Sequence, residues 1–319
     1  MSINFYESAF YLLSTVCLIL FIIYRPKPAS NQNFNGKEEV IEYESHKKLT
    51  RLHVKYLFLY CLATLGDWLQ GPYLYALYQS YGLTRNDIQL LFLAGFTSSM
   101  ITGPIMGSMA DRLGRRLNCI LYCIFYTFCC VSQQFSDIKV LFMGRIFGGI
   151  STSILCSAFE SWIICQHSIT GSNVHPNQVE KYIKQIFGNA TLGNSCMAIL
   201  AGVIAQKIAD RHGYIAPFHA SAGVLVVCGV AIYMFWEENF GNIEASNLSQ
   251  IKRSLKIMSE DRHVLTIGLV QALFESSMYC FVLEWTPALD HPERVNSNLP
   301  VQKLPHGTIF ASCKYTNYI

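Results

Sequence analysis

Charge is scarce in this chain of 319 residues. Asp, Glu, Lys and Arg make up 14% of it and hydrophobic residues 51%, where an ordinary soluble domain carries roughly 25% charge. So few charges cannot coat a water-soluble protein of this size, and so much apolar material excludes a disordered one. A surplus of one sign is also missing. The 24 Lys and Arg stand against 21 Asp and Glu, a net charge of +3, which argues against a nucleic-acid binder with a strong basic stripe. The twelve cysteines contain no CxxC pair and lie scattered through apolar runs. Cys119 and Cys123 have no partner pair to complete a zinc set, so the cysteines are read as buried small hydrophobes, with no metal and no cofactor. The chain has no GxxxxGK(S/T), HExxH or GxSxG motif. That argues against nucleotide-driven pumping and against the common hydrolases; a multi-pass lipid-modifying enzyme is the remaining enzymatic alternative.

What is present is a set of apolar runs. A membrane helix needs about 20 mostly apolar residues, and eight stretches meet that need: 4–24, 55–78, 88–110, 117–135, 140–165, 186–206, 215–236 and 264–285. The first has no Lys or Arg before it and carries Glu7; its positive charge follows, at Arg25 and Lys27. This is the reverse of a signal peptide, so the run is expected to stay as a helix with its N-terminus outside. Positive residues concentrate in cytosolic loops. Sixteen Lys and Arg precede the second, fourth, sixth and eighth spans, counting Lys55 at an edge, against four in the alternate loops. Residues 25–54, 111–116, the stretch after Cys165 and 237–262 are therefore assigned to the cytosol. The sequons at Asn189 and Asn247 fall on no outside loop, and neither is expected to carry a glycan.

From Gly107 to Arg116 the chain reads GSMADRLGRR. The residue chemistry is legible. Gly107 would permit close helix approach. Asp111 closes a helix, and Arg112, Arg115 and Arg116 offset the negative helix end and could pair with acids on a neighbouring helix. Gly114 is the second glycine of the pattern G-x-x-x-D-R-x-G-R-R. This stretch resembles the loop signature of the major facilitator superfamily, and RIFGG at 145–149 resembles a second motif of that superfamily. DWLQGPYLY at 67–75, SAFESW at 157–162, QALFES at 271–276 and WTPALD at 285–290 look like its molybdate-anion transporter branch, which also carries an extra N-terminal helix. The likeness covers about residues 55–290.

The resemblance implies an all-α polytopic membrane protein of the major facilitator fold. Its parts would be an extra helix and cytosolic linker over 1–54, a six-helix N-terminal half over 55–236, a cytosolic linker over 237–262, and the first helix of a C-terminal half with a tail over 263–319. HGTIFAS at 306–312 resembles the beginning of the next helix. Five helices of the usual fold are not in this sequence, so a truncated product is expected. The implied activity is secondary transport, namely uptake of molybdate or a similar small anion by alternating access, with an ion such as H⁺ as coupling partner. The setting would be a lipid bilayer, most simply the plasma membrane. The alternatives are a facilitator for a sugar or organic acid, and a non-transporting fragment.

Charges at mid-membrane are costly and usually face a cavity or a partner. Asp67, Arg145, Glu160 and Glu275 fall within spans. Asp67 lies twelve residues beyond Lys55 and Glu275 twelve beyond His263, each about 18 Å along a helix running outward. The acids suit proton coupling or gating, since burial raises a carboxyl pKa; they suit a structural salt bridge equally. Arg145 suits an oxyanion or one of those acids. Trp68, Gln70 and Tyr73 join them as candidate substrate contacts, and Tyr75, Asn194 and Gln271 are further hydrogen-bonding candidates.

Overall fold

The computed structural model describes residues 37–171, 176–241, 252, 256–289 and 304–316. The predicted span over 4–24 and the sequon at Asn247 lie outside these residues. Everything described is helix or connector: α1 Lys37–Gln70, a 3₁₀ turn Gly71–Tyr73, α2 Leu74–Ser80, α3 Arg85–Leu113, α4 Arg115–Ser132, α5 Ile138–Thr170, α6 Pro176–His212, α7 Ala216–Phe235, α8 Arg262–Leu289 and α9 His306–Thr316. Helices satisfy their backbone groups internally, as hydrocarbon requires. Within α3, α5, α6, α7 and α8 the chain is long and apolar enough to cross a membrane.

Several boundaries differ from the expectation. The span predicted over 55–78 is not one helix. Pro72 has no N–H to donate, and the helix tightens to a 3₁₀ turn there before resuming at Leu74. The loop predicted over 111–116 shrinks to one residue. Helix α3 runs to Leu113 and α4 starts at Arg115, with Gly114 at φ +103° between them, a conformation costly for any residue with a Cβ. The segment before the second predicted span is already helical from Lys37, and 256–260 within the predicted linker is helical.

The described chain forms two compact units. The first comprises residues 1–73, 159–239 and 305–319. In it α1 packs on α6 and α7, and α9 packs on α6. Small residues set these contacts. Ser221 Oγ donates to the Gly66 carbonyl (2.5 Å), and a Cβ at Gly66 would stand 2.9 Å from Leu225. Gly202 and Gly307 bring two backbones together; a Cβ on Gly202 would lie 2.7 Å from the Gly307 carbonyl oxygen. At the other end Trp162 and Trp236 stack, with ring centroids 3.8 Å apart. The chain leaving α7 is fastened there: Trp162 Nε1 donates to the Glu237 carbonyl (2.9 Å), and Asn239 Nδ2 donates to the Trp162 carbonyl (3.2 Å).

The second unit comprises residues 74–158 and 240–304. Thr84 opens α3 with a reciprocal capping box to Asp87. The seam between α3 and α5 is lined by Gly95, Ser98, Ser99 and Thr102 facing Gly149 and Ser153. A Cβ on Gly149 would overlap the Gly95 carbonyl oxygen, and Ser153 Oγ donates to the Ser99 carbonyl (2.8 Å). This is the small-residue packing that membrane helices use where burial from water gives no drive. Helix α8 keeps a broad apolar surface exposed, including Ile267, Val270 and Leu273, as a lipid-facing helix does.

Candidate functional site

In the first unit the break in α1 gathers polar groups. Trp68 Nε1 donates to Asn194 Oδ1 of α6 (2.7 Å). Tyr73 OH donates to Gln206 Oε1 (2.8 Å), which also accepts from the Gly307 backbone N–H (2.9 Å). Gln206 Nε2 in turn donates to Asp210 Oδ1 (2.9 Å). Phe310 lies against the Trp68 ring, and His306 meets Tyr73 edge-on. Gln70 is buried at 4% exposure, and its Nε2 makes no hydrogen bond among the described residues. That nitrogen is a donor still open to a ligand at the break. Asp67 is half-buried on the same stretch of α1, whereas Glu160 is exposed on α5.

The second unit holds Arg145, Glu275 and the Gly107–Arg116 motif. The Arg145 guanidinium lies over Phe92, 5.4 Å from the ring centroid, and a Cβ on Gly95 would stand 2.9 Å from its Nη2. Phe92 and Gly95 thus make its berth on α3. Glu275 Oε1 accepts from Gln271 Nε2 one turn earlier (2.8 Å), so Gln271 is an acid's partner. Within the motif Arg115 donates to Asp111 Oδ1 from Nη2 (2.7 Å) and Nε (3.1 Å). That pair bridges the Gly114 joint, so the partner of Arg115 is the motif's own acid rather than one on a neighbouring helix. Arg112 is exposed and Arg116 half-buried. The close approach expected at Gly107 is not formed: nothing lies within 4 Å of a Cβ built there, and Gly149 has that role instead.

Sequence reasoning missed Gln206 and Asp210, whose polar pair four apart inside an apolar run was the available signal. It also missed Gly241. That residue's N–H donates to the Asp111 carbonyl (2.9 Å), and a Cβ there would overlap the Asp111 carboxylate; no local pattern announces this. A third omission is the pair His53 and His167, which stack with centroids 5.2 Å apart and Tyr182 at their edge. Burial, aided by the His167 charge, pulls His53 down to about 4.

Small-residue seams, a span broken at Pro72, polar side chains within apolar helices and an ion pair bridging a glycine joint define a polytopic helical membrane protein. A major facilitator family described as sugar transporters with 12 transmembrane helices matches residues 5–319, and the chain belongs to it. The chain is 35% identical over 265 residues to a molybdate-anion transporter of Takifugu rubripes, covering 75% of this chain and 54% of that protein. It is 32% identical over 307 residues to the molybdate-anion transporter of Danio rerio, covering 88% and 61%. It therefore spans little more than half the length of these relatives. In fold it is similar to a POT family transporter solved with 5-aminolevulinic acid, at a TM-score of 0.50 and 15% identity, over 73% of this chain and 47% of that one. The family and these relatives are transporters, not enzymes.

Proposed function

We propose that the chain forms part of a plasma-membrane transporter that takes up molybdate or a similar oxyanion by alternating access. In this reading residues 55–236 are the first six-helix half, 237–262 the cytosolic linker and 263–319 the beginning of the second half, with 1–54 supplying the extra helix. The observation that carries the reading is the donor set at the break in α1. Trp68, Gln70 and Tyr73 lie within six residues there; the Trp68 N–H and Tyr73 O–H are held by Asn194 and Gln206, and the Gln70 amide nitrogen, buried without a partner among the described residues, is the donor left for a ligand. A tetrahedral oxyanion needs directed donors of this kind. Arg145 supplies positive charge along the route. Asp67, Glu160 and Glu275 are the acids in the spans that could load a coupling proton or gate the path. The relatives' names support molybdate as substrate.

A second reading is a sugar substrate. The description of the matching family favours it, and amide and indole donors serve sugar hydroxyls as well. Cells lacking their own uptake route, expressing this chain or a version extended to twelve core helices, are given molybdate and a labelled sugar in parallel. Molybdate accumulation supports the proposal; sugar accumulation alone replaces it with the second reading. Uptake by the long version only assigns this chain a non-transporting role, as a partner of the full-length protein.

A further inference from the structure

The first unit holds a cavity of about 330 Å³ that no part of the transport reading uses. Its walls include Lys48, Arg51 and Lys55 of α1, Gln166 of α5, and Trp236 and Glu237 just past α7. The three cations stand at i, i+3 and i+7, which is one face of a helix, and cover about 10 Å along it. None of them makes an ion pair among the described residues, and Glu237 is the one acid in the wall. The cavity is thus electropositive. All three elements reach it at the end assigned to the cytosol by the Lys and Arg count.

Its position on α1 identifies the occupant. On the flank of the same face two exposed side chains are apolar: Val54, between Arg51 and Lys55, is 63% exposed, and Phe58, one turn beyond it, 65%. The last cation, Lys55, is thus followed along the helix by exposed hydrocarbon at Phe58. The stacked and largely buried Trp162 and Trp236 form its apolar floor. Gln166 and Thr170 add neutral hydrogen-bonding groups to the wall. Cations at the cytosolic surface with an apolar surface directly above them fit a phosphate ester carrying acyl chains.

We propose that this cavity binds the phosphate headgroup of an anionic phospholipid of the cytosolic leaflet, its chains lying on Val54 and Phe58. The chemistry recognised is a phosphate-type oxyanion, which a lipid or a free anion could supply; the exposed hydrocarbon at Val54 and Phe58 selects the lipid.

The full chain is placed in nanodiscs of phosphatidylcholine with a minor fraction of phosphatidylserine, and retained lipid is measured by native mass spectrometry. Phosphatidylserine is expected to be enriched over its bulk fraction. Arg51→Gln and Lys55→Gln should each weaken retention about fivefold, from about 1 kcal/mol per cation near the surface. Because lost cations can disturb insertion, two further variants are measured. Lys48→Arg with Lys55→Arg should keep retention, and Glu237→Gln should raise it severalfold. Equal retention of phosphatidylserine and phosphatidylcholine by the wild type overturns the proposal, as does a Glu237→Gln variant that retains no more than wild type. Displacement of the lipid by millimolar inorganic phosphate or molybdate overturns the lipid assignment and gives the cavity to a free anion.

Discussion

Glu284, near the end of α8, accepts hydrogen bonds from Arg85 at the first turn of α3 and from Gln89 Nε2 (3.3 Å) one turn later. An acid within an apolar span needs a partner, and the structure gives it one on another helix. The pair ties α8 to the start of α3, at the opposite end of that helix from the Gly107–Arg116 motif. It is also open to solvent, with the Arg85 and Glu284 side chains 59% and 47% exposed.

That exposure sets its value. Solvent-exposed ion pairs contribute little, so Glu284→Gln should leave thermal stability in detergent almost unchanged. Arg85→Cys and Glu284→Cys should be joined by a short bifunctional thiol cross-linker, since the pair meets through two long side chains and its main chains lie beyond disulfide reach. A shift of gel mobility checks it, and failure to cross-link would separate α3 from α8 at this point.

Gly114 should resist substitution. Its φ of +103° is strained for a residue with a Cβ, at a cost on the order of 1–3 kcal/mol. Gly114→Ala is therefore expected to reduce the folded fraction, measured by size-exclusion monodispersity. Arg115→Ala should act differently, because it frees the Asp111 carboxylate while leaving the joint intact. Together with Arg116→Ala it should slow uptake without loss of membrane insertion. Cysteine labelling of the loops from both sides distinguishes a slowed cycle from an inverted chain.

Asp67→Asn removes charge and keeps shape. In a version of the protein that transports, it should abolish uptake while surface expression stays normal. Normal uptake by that variant would remove Asp67 from coupling. Tyr73→Phe is expected to be milder. It removes one hydrogen bond to Gln206, whose Oε1 still accepts from Gly307, for about 1 kcal/mol of stability.

The His53–His167 stack predicts a pH response. An unperturbed His titrates near about 6.5, whereas burial and the His167 charge hold His53 at about 4 in the fold. Between these values the unfolded chain binds more protons than the native one, so stability falls as pH drops from about 6.5 toward 4. His53→Gln should flatten that part of the melting-temperature profile. An unchanged slope would transfer the effect to other groups.

The sequence showed the helical membrane class and its helix order because both rest on long apolar runs and on where Lys and Arg lie. It showed Trp68 and Tyr73 as polar groups worth following, since indole and phenol in a span invite a partner. It did not show those partners, Asn194 and Gln206, which lie more than a hundred residues away and are chosen by helix packing. Gly107 illustrates the opposite error. A glycine in a known pattern suggested close approach, yet contact depends on which helix lies opposite, and the contact falls at Gly149 against Gly95. Gly114 was identified as part of a motif, but only the backbone angle shows that it alone separates two helices.

Where α6 crosses α9, Gly202 and Gly307 leave no room for even a methyl group between two main chains. Neither residue has a side chain, so a search for functional side chains would pass over both. In a library of all single replacements they should nonetheless appear as two blank columns, as intolerant as any acid in the spans, and for reasons of thickness alone.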